Sequence, residues 1–600
     1  MRRALLAASA LVVGVLAWPV ATSAMFNSAL HWPSPPSLTN PAPAYYYWRD
    51  YRQVAAVKRW LPPCAAGSGL LCLLPAALIV FARPSKKLRE ARPGEAIPQP
   101  RRAFSGAHGR ADWLSLDATR QLFPGPDPTY GGLVVGEAYR VDQDSVADKR
   151  FLPQVRATWG RGGKAPLLID PCHTGSTHGT IIAGSGGLKT VSVTVPTLLH
   201  WTGSAVVFDP PNQVDPMTRD ARHAMGHEVY NIAPGQEGMN ILSWIDPANA
   251  TAEADVLDVL NWVGGDIASK AKGEGAAFAQ SGRKLMAAIL ADMLWDTELP
   301  AERKTMREFR ARLTIPERKM QSRLQDIAAE SKSPMARDYA RSMSDLYDKT
   351  FSGAYFHATG ETDFLAIEAY ADMLSNPDCD PEVITQRRAT IYLGIPMKDL
   401  AAAPALGRVV IATLQSALRR AEGNVATKRV LFLLDECRFL GRLSTLEAMM
   451  VADRKYGATI VTIWQDEGDL KRVWGDNAAI FSANSSWTGY AAVKDLATSE
   501  HVSKLCGKYT AIGSTTGQGN SSSSGKSGAG RNRNQGMSEQ ARELIRPEDV
   551  LTMRADEIIL FANGVAPIRC GRAVYFRRED MLSRVNEDRL RAVSKMENAA

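Results

Sequence analysis

The chain of 600 residues carries 45% hydrophobic and 22% charged residues, which is enough apolar material for more than one folded core. This composition excludes a chain that is disordered throughout, and the charged fraction excludes a polytopic transporter. Seven scattered cysteines form neither CxxC pairs nor a dense framework, so neither a disulfide scaffold nor a zinc ribbon is expected. The net charge of +8 permits a polyanionic partner without requiring one.

Two apolar stretches lie within residues 1–89. The first, 4–24, follows two arginines and is long enough to cross a bilayer core of about 30 Å. A cleaved signal peptide is the alternative for this stretch, because the arginines and the small residues ATSA also suit a signal sequence. The second stretch, 64–82, runs into several basic residues in a stop-transfer pattern. We therefore expect a transmembrane hairpin of two helices joined by a short periplasmic loop.

Residues 90–109 are rich in proline and arginine and are expected to form a linker. Beyond them, short apolar segments alternate with helical stretches, which is typical of an α/β domain with a parallel-rich sheet. We expect this domain to comprise 110–265 and 377–600. The segments expected to form strands are 180–183, 205–208, 391–395, 430–434, 458–463, 558–561 and 573–576.

Two segments depart from this alternation. In 266–376, apolar residues such as Leu285, Ile289 and Met293 recur at helical spacing, which predicts an all-α domain inserted into the α/β domain. The tract 513–536 is rich in glycine and serine and lies between ordered-looking segments. Its composition predicts a flexible internal loop.

A glycine-rich segment follows the expected strand 180–183. A phosphate loop needs small residues whose backbone N–H groups converge on an anion, a helix N-terminus, a lysine for the phosphates and a hydroxyl for Mg²⁺. Lys189 and Thr190 meet these needs, but Ala183 and Leu188 stand where glycines are usual. An ordinary glycine-rich turn is the alternative, so the loop alone does not decide the function. The candidate nucleotide-binding residues are Gly184, Ser185, Gly186, Gly187, Leu188, Lys189 and Thr190.

A second motif supports a nucleotide site. The apolar segment 430–434 ends in Asp435, which can hold Mg²⁺ together with Thr190, and Glu436, which can polarise an attacking water. The expected strand 458–463 leads to Gln465, which can orient that water or sense the γ-phosphate. Each group alone is often a capping or solvated residue. Their ordered combination favours a Mg²⁺-dependent NTPase with ATP as its nucleotide.

Two other groups attract attention without forming a site. His173 and His178 could be imagined as metal ligands, but no third ligand accompanies them at convincing spacing, so a buried or solvated pair is expected. Cys437 follows Glu436, yet no histidine lies within the local motif. We interpret it as a small core residue.

The order and spacing of these motifs resemble the conjugal coupling-protein family of type IV secretion, the VirD4/TraG group. The resemblance covers nearly the whole chain and includes the hairpin, the glycine-rich loop and the phrases at 230–234, 454–457 and 546–549. It implies a RecA-like P-loop ATPase domain with an inserted all-α domain, assembled as a ring that is commonly a hexamer. Leu188, and Asp209 followed by two prolines instead of Lys-Gly-Glu, point to the TraG-like branch.

The resemblance also implies partners and residue roles. Such proteins bring relaxase-bound single-stranded DNA, or effector proteins, to the channel components of a type IV secretion system in the bacterial inner membrane. Lys189 and Thr190 would bind nucleotide and Mg²⁺, Asp435 and Glu436 would be the acidic pair, and Gln465 would be the sensor. Arg454 matches the position of an arginine finger offered to a neighbouring subunit. An exposed helix-end arginine is the alternative for Arg454.

Further expectations follow from these assignments. Because ATP is available in the cytoplasm, both termini and the large domain are expected there. The sequence shows no base-reading motif, so DNA binding is expected to be sequence-nonspecific. Two other functions stay open: a weakly or non-hydrolysing scaffold that docks the relaxosome on the channel, which Leu188 favours, and a related P-loop DNA motor with another cargo.

Overall fold

The computed structural model describes residues 2–31, 43–81, 101–265, 274–520 and 531–588. The chain divides into two compact units, Met1–Gln99 and Pro100–Ala600. The expected linker 90–109 lies partly outside the described residues, and its described part begins at residue 101.

The N-terminal unit contains three helices, α1 (Arg2–Leu30), α2 (Pro43–Asp50) and α3 (Ala55–Phe81). Gly14 lies against Cys72, while Phe26 packs with Leu61. These contacts show that α1 and α3 run antiparallel. Among the described residues, one segment, Ala8–Leu30, is long and apolar enough to cross a membrane. The second expected span, 64–82, lies within α3 except for its last residue, which is outside the description. The two-span hairpin stays a prediction.

In the described part of the C-terminal unit the strands lie in one large sheet and one separate ribbon. They are β1 (Leu133–Glu137), β2 (Leu167–Asp170), β3 (Gly179–Ala183), β4 (Ser204–Phe208), β5 (Glu228–Asn231), β6 (Ala389–Leu393), β7 (Val430–Leu434), β8 (Ala458–Trp464), β9 (Trp487–Ala491), β10 (Lys508–Asn520), β11 (Arg531–Glu543), β12 (Glu557–Ala562) and β13 (Ile568–Gly571).

The order across the large sheet is β2-β1-β13-β12-β9-β3-β8-β7-β4-β6-β5. The strands from β9 to β5 pair in parallel, whereas the other strands pair antiparallel. The expected strands 180–183, 205–208, 430–434, 458–463 and 558–561 coincide with β3, β4, β7, β8 and β12 to within one residue, and β6 lies two residues before its expected position. Because parallel strands end at the same edge, the residues that follow β3, β7 and β8 come together.

The strand expected at 573–576 is wrong. The last strand, β13, ends at Gly571, and Tyr575–Arg577 forms a 3-10 turn. Ala573 and Val574 are fully buried but do not pair in the sheet. An apolar run indicates burial and does not by itself indicate strand pairing. β1, β2, β5, β9 and β13 were not predicted, because their runs of four or five residues include polar residues or glycine that weaken the signal.

Helices cover both faces of the large sheet. Val206 and Phe432 pack in one core with Leu285 of a helix, whereas Val207 packs on the opposite face with Leu198. The helices are α4 (Leu116–Leu122), α5 (Val195–His200), α6 (Val214–Ala224), α7 (Ala252–Gly264), α8 (Glu274–Trp295), α9 (Met306–Leu313), α10 (Glu317–Glu330), α11 (Pro334–Ser344), α12 (Asp348–Glu361), α13 (Glu368–Met373), α14 (Val383–Gln386), α15 (Met397–Ala402), α16 (Ala405–Arg420), α17 (Ser444–Ala452), α18 (Glu467–Trp474), α19 (Ala479–Ala483), α20 (Leu496–Cys506), α21 (Pro547–Leu551) and α22 (Glu579–Leu582).

Between β5 and β6 the described chain forms helices and no strand. The expected all-α interval 266–376 contains α8 to α13, and its first residues, 266–273, lie outside the description. Leu285, Ile289 and Met293 are buried, as their spacing predicts, in a core that continues onto the sheet. The insertion therefore shares its core with the α/β domain, and the domain boundaries stay predictions.

Part of the tract expected to be an internal loop is a ribbon. β10 and β11 pair from Lys508 with Glu543 to Asn520 with Arg531. The structure therefore corrects the loop expectation for 513–520 and 531–536, whereas 521–530 lie outside the described residues. Strand pairing through the backbone needs no apolar side chains, so a composition rich in glycine and serine does not reveal the ribbon.

Candidate nucleotide-binding site

The glycine-rich segment forms a tight loop between β3 and the helix that begins at Thr190. Gly186 has a φ of +69°, in the region that favours glycine. A Cβ atom on Gly184 would lie 2.7 Å from the carbonyl oxygen of Ala492, and one on Gly187 would lie 2.5 Å from the carbonyl oxygen of Gly184. The loop therefore needs these three glycines, as a loop that wraps its backbone around an anion does.

Leu188 adopts a left-handed backbone conformation with a φ of +56°. Glycine is usual at this point of a phosphate loop, and a left-handed leucine costs on the order of 1 kcal/mol. Two cations from elsewhere in the chain hold the loop: Arg572 donates to the carbonyl oxygen of Gly187, and the Lys494 Nζ donates to that of Ser185 at 2.6 Å. Neither contact was predicted from the sequence, since neither residue belongs to a local motif.

The acidic pair lies directly beside the loop. The Lys189 Nζ donates to the Glu436 Oε1 at 2.7 Å, and the Thr190 hydroxyl donates to the Asp435 Oδ2 at 3.2 Å. The Gln465 amide donates to the other Glu436 oxygen at 3.0 Å. Three predicted groups from distant parts of the sequence thus meet at the carboxyl edge of β3, β7 and β8.

Asp435 is the more deeply buried of the two carboxylates. Burial raises its pKa to about 6, although the nearby Lys189 ammonium acts in the opposite direction. The next residue, Glu436, has a φ of +50°, and this left-handed turn aims its carboxylate at Lys189 and Gln465. A buried carboxylate with a raised pKa gains from a bound cation, so the position suits a metal ligand.

The oxygen atoms beside Lys189 suit a Mg²⁺ ion as ligands. Thr190 and Asp435 present a hydroxyl and a carboxylate oxygen to the same point, and hard oxygen ligands are those that Mg²⁺ prefers. Within the described ranges, no group of three or more His, Cys, Asp or Glu side chains could hold a metal by itself. A Mg²⁺ that is bound mainly by phosphates and water needs only one or two protein ligands.

A further carboxylate, Asp209, lies at the end of the neighbouring strand β4. It is buried and accepts a hydrogen bond from the backbone of Val214 at 2.6 Å. Burial, with Asp435 and Asp215 adding to it, raises the pKa of Asp209 to about 7. In the sequence, Asp209 is the first residue of an altered family motif, and the sheet order places it beside the acidic strand.

Arg454 lies away from these groups within its own chain. It belongs to the turn that precedes β8, whereas Gln465 follows β8. The seven residues of β8, at about 3.3 Å each, separate the two positions by about 20 Å. The structure therefore does not bring Arg454 to the nucleotide loop of the same subunit.

The two histidines lie apart from the glycine-rich loop, and the thiol of Cys437 donates to the carbonyl oxygen of Leu434. His173 pairs with Asp127 at 2.7 Å, while the buried His178 accepts from the Ile460 backbone. Burial lowers the pKa of His178 to about 3 and raises that of Cys437, which disfavours a charged form of either.

Residues 128–598 match the model of the family described as Type IV secretory system Conjugative DNA transfer. The "Conjugal transfer protein TraG" of Agrobacterium fabrum is 38% identical over 486 residues, which cover 80% of this chain and 72% of that protein. The "Type IV secretion system-coupling protein VirD4" of Bartonella quintana is 34% identical over 533 residues, 87% of this chain and 80% of that protein.

Solved structures show the same fold. The "Bacterial conjugative coupling protein TrwBdeltaN70" aligns with a TM-score of 0.53 at 13% identity, over 80% of this chain and 96% of that one. "Plasmid coupling protein TrwB" in complex with a non-hydrolysable ATP analogue, ADPNP, aligns with a TM-score of 0.50 at 14% identity, over 75% and 95%. At this identity the likeness concerns the fold.

Proposed function

Because the chain belongs to the type IV secretory system conjugative DNA transfer family, we propose that it is a membrane-anchored coupling protein that binds and hydrolyses ATP. Its cargo would be relaxase-bound single-stranded DNA, or an effector protein, delivered to a type IV secretion channel. The observation that carries the enzymatic part is the convergence of Lys189, Asp435 and Glu436 at one edge of the sheet.

Nucleotide binding begins with an exchange of partners. The backbone N–H groups of the glycine-rich loop donate to the phosphates, and Lys189 leaves Glu436 because a triphosphate carries more negative charge than one carboxylate. Thr190 and Asp435 would hold Mg²⁺, which neutralises charge on the phosphates when it is bound. The exchange frees the carboxylate of Glu436 for catalysis.

Glu436 then acts as the general base. It accepts a proton from a water molecule, whose oxygen bonds to the γ-phosphorus as the bond to the β-phosphate oxygen breaks, yielding ADP and inorganic phosphate. The Gln465 amide, at 3.0 Å from Glu436, holds the carboxylate and orients the water. Both side chains stand on the ends of buried strands, so little reorganisation is needed.

Assembly completes the proposed site. Arg454 lies at the opposite edge of the sheet from its own phosphate loop, so it can stabilise the transition state only in a neighbouring subunit. A ring, commonly a hexamer in this family, would provide that neighbour. It would also repeat the net charge of +8 around a pore, where it attracts a DNA backbone without reading its bases.

The proposed location is the bacterial inner membrane. α1 contains a segment that is long and apolar enough to span it, and α3 packs against α1 through a hydrogen bond between the Thr22 and Ser68 hydroxyls at 2.7 Å. In this arrangement both termini and the nucleotide site face the cytoplasm, where ATP is available.

The test measures ATP hydrolysis by the detergent-purified full chain against protein concentration, with and without single-stranded DNA. We expect Lys189→Ala to abolish nucleotide binding and Glu436→Gln to retain binding while lowering turnover by about 100-fold or more. Lys398→Ala and Glu422→Gln, at exposed positions outside the site, are matched controls. Turnover by the unaltered chain that is no higher than that of the two site variants would favour the scaffold.

A further inference from the structure

The N-terminal unit contains a cavity between α1, α2 and α3. It has a volume of about 570 Å³. Its apolar lining includes Trp18, Pro19, Tyr45, Trp48 and Leu61. Two cations also line it: Arg52 follows α2, and Lys58 lies in the first turn of α3. The cavity therefore combines apolar walls with positive charge near the loop between α2 and α3.

Hydrogen bonds between the helices fix the shape of this cavity. The Trp18 indole of α1 donates to the carbonyl oxygen of Ala65 in α3 at 2.7 Å. The backbone N–H of Ala44, in α2, donates to the Ser23 hydroxyl of α1 at 3.0 Å. α1 is thus bonded to both other helices, so the cavity is a product of how the three helices pack.

The two cations lack an acidic partner in the part of the chain that the structure describes. Their side chains are exposed and enter no ion pair or hydrogen bond there. Residues 31–60 contain one carboxylate, Asp50, which already pairs with Arg49 at 2.7 Å. An anion from outside the chain can therefore bind Arg52 and Lys58 without displacing an ion pair.

This arrangement fits one class of ligand. Tyr45 and Trp48 are 57% and 56% exposed, and such amphipathic rings are enriched at the boundary between lipid headgroups and hydrocarbon. A phospholipid places its phosphate at this level and its acyl chains below it. A soluble anion would leave the apolar walls uncovered, and an apolar helix of a partner protein would leave the two cations without a counter-charge.

We propose that the cavity binds one anionic phospholipid, whose phosphate contacts Arg52 and Lys58 and whose acyl chain lies along Trp18 and Leu61. The assignment rests on the proposed membrane location, because it needs the three helices to lie in a bilayer. The lipid comes from the leaflet next to the loop between α2 and α3, which is the periplasmic leaflet in the proposed topology. Since a ligand that binds only the folded state stabilises it, the anionic lipid content of the membrane contributes to the stability of this unit.

The experiment compares phosphatidylglycerol with phosphatidylcholine of the same acyl chains, by native mass spectrometry of the detergent-purified full chain. We expect the first phosphatidylglycerol to bind at least about tenfold more tightly, since both cations attract its net negative charge. The double variant Arg52→Gln, Lys58→Gln should reduce this preference to less than about threefold. Arg59→Gln, at an exposed arginine that does not line the cavity, is the matched control.

A second variant tests the apolar walls. Trp48→Ala should weaken the binding of both lipids by a similar factor of about fivefold, because the ring contacts the acyl chain. Tyr46→Ala, at an exposed ring that does not line the cavity, is its control and should leave both affinities unchanged. Unchanged binding of both lipids to Trp48→Ala would contradict an acyl chain in the cavity.

The remaining outcomes separate this assignment from its rivals. Equal affinity of the unaltered chain for the two lipids, or an equal loss of preference in Arg59→Gln, would overturn it. Displacement of phosphatidylglycerol by inorganic phosphate would also overturn it and would indicate a site for a soluble anion. Because binding is measured in detergent, these results depend neither on ATP hydrolysis nor on the number of membrane spans, so the proposed function stands or falls separately.

Discussion

Lys189 and Glu436 form an ion pair in the structure. Their side chains are 8% and 17% exposed, and the 2.7 Å ion pair neutralises two charges that would be costly to leave alone in a partly buried site. The pair also keeps the proposed general base from polarising water. In the proposed mechanism, hydrolysis therefore requires prior phosphate binding, because the lysine has to leave the carboxylate first.

Asp209 provides a prediction about stability and pH. Its pKa is about 7 in the folded chain, against about 3.9 in an unfolded one, because it is buried beside other carboxylates. Between these values the unfolded state has lost the proton and the folded state retains it, so the free energy of unfolding falls as pH rises from about 4 to about 7. The side chain of asparagine keeps an oxygen that can accept from the Val214 N–H. We therefore expect Asp209→Asn to abolish this fall in the free energy of unfolding.

Thermal unfolding of the full chain at about pH 5 and about pH 7.5, without Mg²⁺ or nucleotide, checks the expectation. The variant should gain stability relative to the unaltered chain at the higher pH. Asp338→Asn, on an exposed position of α11, is the matched control and should show no such gain. An equal response of both variants to pH would contradict the assigned pKa of Asp209.

At the scale of elements, the phosphate loop depends on strands that are distant in sequence. Arg572 follows β13 and joins the antiparallel side of the sheet to the loop through the carbonyl oxygen of Gly187. Lys494, after β9, makes a similar contact at Ser185. These two hydrogen bonds explain how the loop keeps a left-handed backbone conformation at Leu188, where glycine is usual.

The ribbon of β10 and β11 offers a prediction about an element. It forms its own two-stranded sheet, so its outer part should add little to the core. Ser514 and Met537 are paired in register, and an Asn-Gly turn can join them in place of 515–536. We expect this deletion to change the thermal midpoint by less than about 2 °C and to leave ATP hydrolysis unchanged.

A contrasting variant makes that test decisive. Tyr509, at the base of the ribbon, is 5% exposed and lies under Arg102. Tyr509→Ala should lower the midpoint by several degrees, because it removes a buried ring. If the deletion lowered the midpoint as much as Tyr509→Ala, the outer ribbon would have to belong to the folded core.

At the scale of the whole molecule, membrane topology is open to a direct test. With two spans, Gln53 in the loop between α2 and α3 lies in the periplasm and Lys398 lies in the cytoplasm. A membrane-impermeant thiol reagent should label Gln53→Cys in intact cells and label Lys398→Cys only after lysis. The unaltered chain controls for its own cysteines, which the structure places in buried or half-buried positions. Absence of labelling at Gln53→Cys in intact cells would rule out the two-span arrangement.

Local patterns were sufficient for most of the parallel strands and for the glycine-rich turn that follows β3. β3, β4, β7 and β8 consist mainly of apolar residues, and each was predicted to within one residue. The same patterns did not reveal β1, β2, β5, β9 and β13, or the ribbon. Short strands with polar residues owe their conformation to pairing with distant partners, and that pairing leaves little trace in a window of a few residues.

The sequence by itself determined which groups are available for chemistry, because glycines that permit a tight loop and carboxylates at strand ends are local properties of the chain. Only the tertiary structure decided how they are held: Asp209 next to the acidic strand, Arg572 on the loop carbonyl and Arg454 at the far edge. These relations depend on the order of the strands in the sheet and on burial. Both arise from contacts between segments that are hundreds of residues apart.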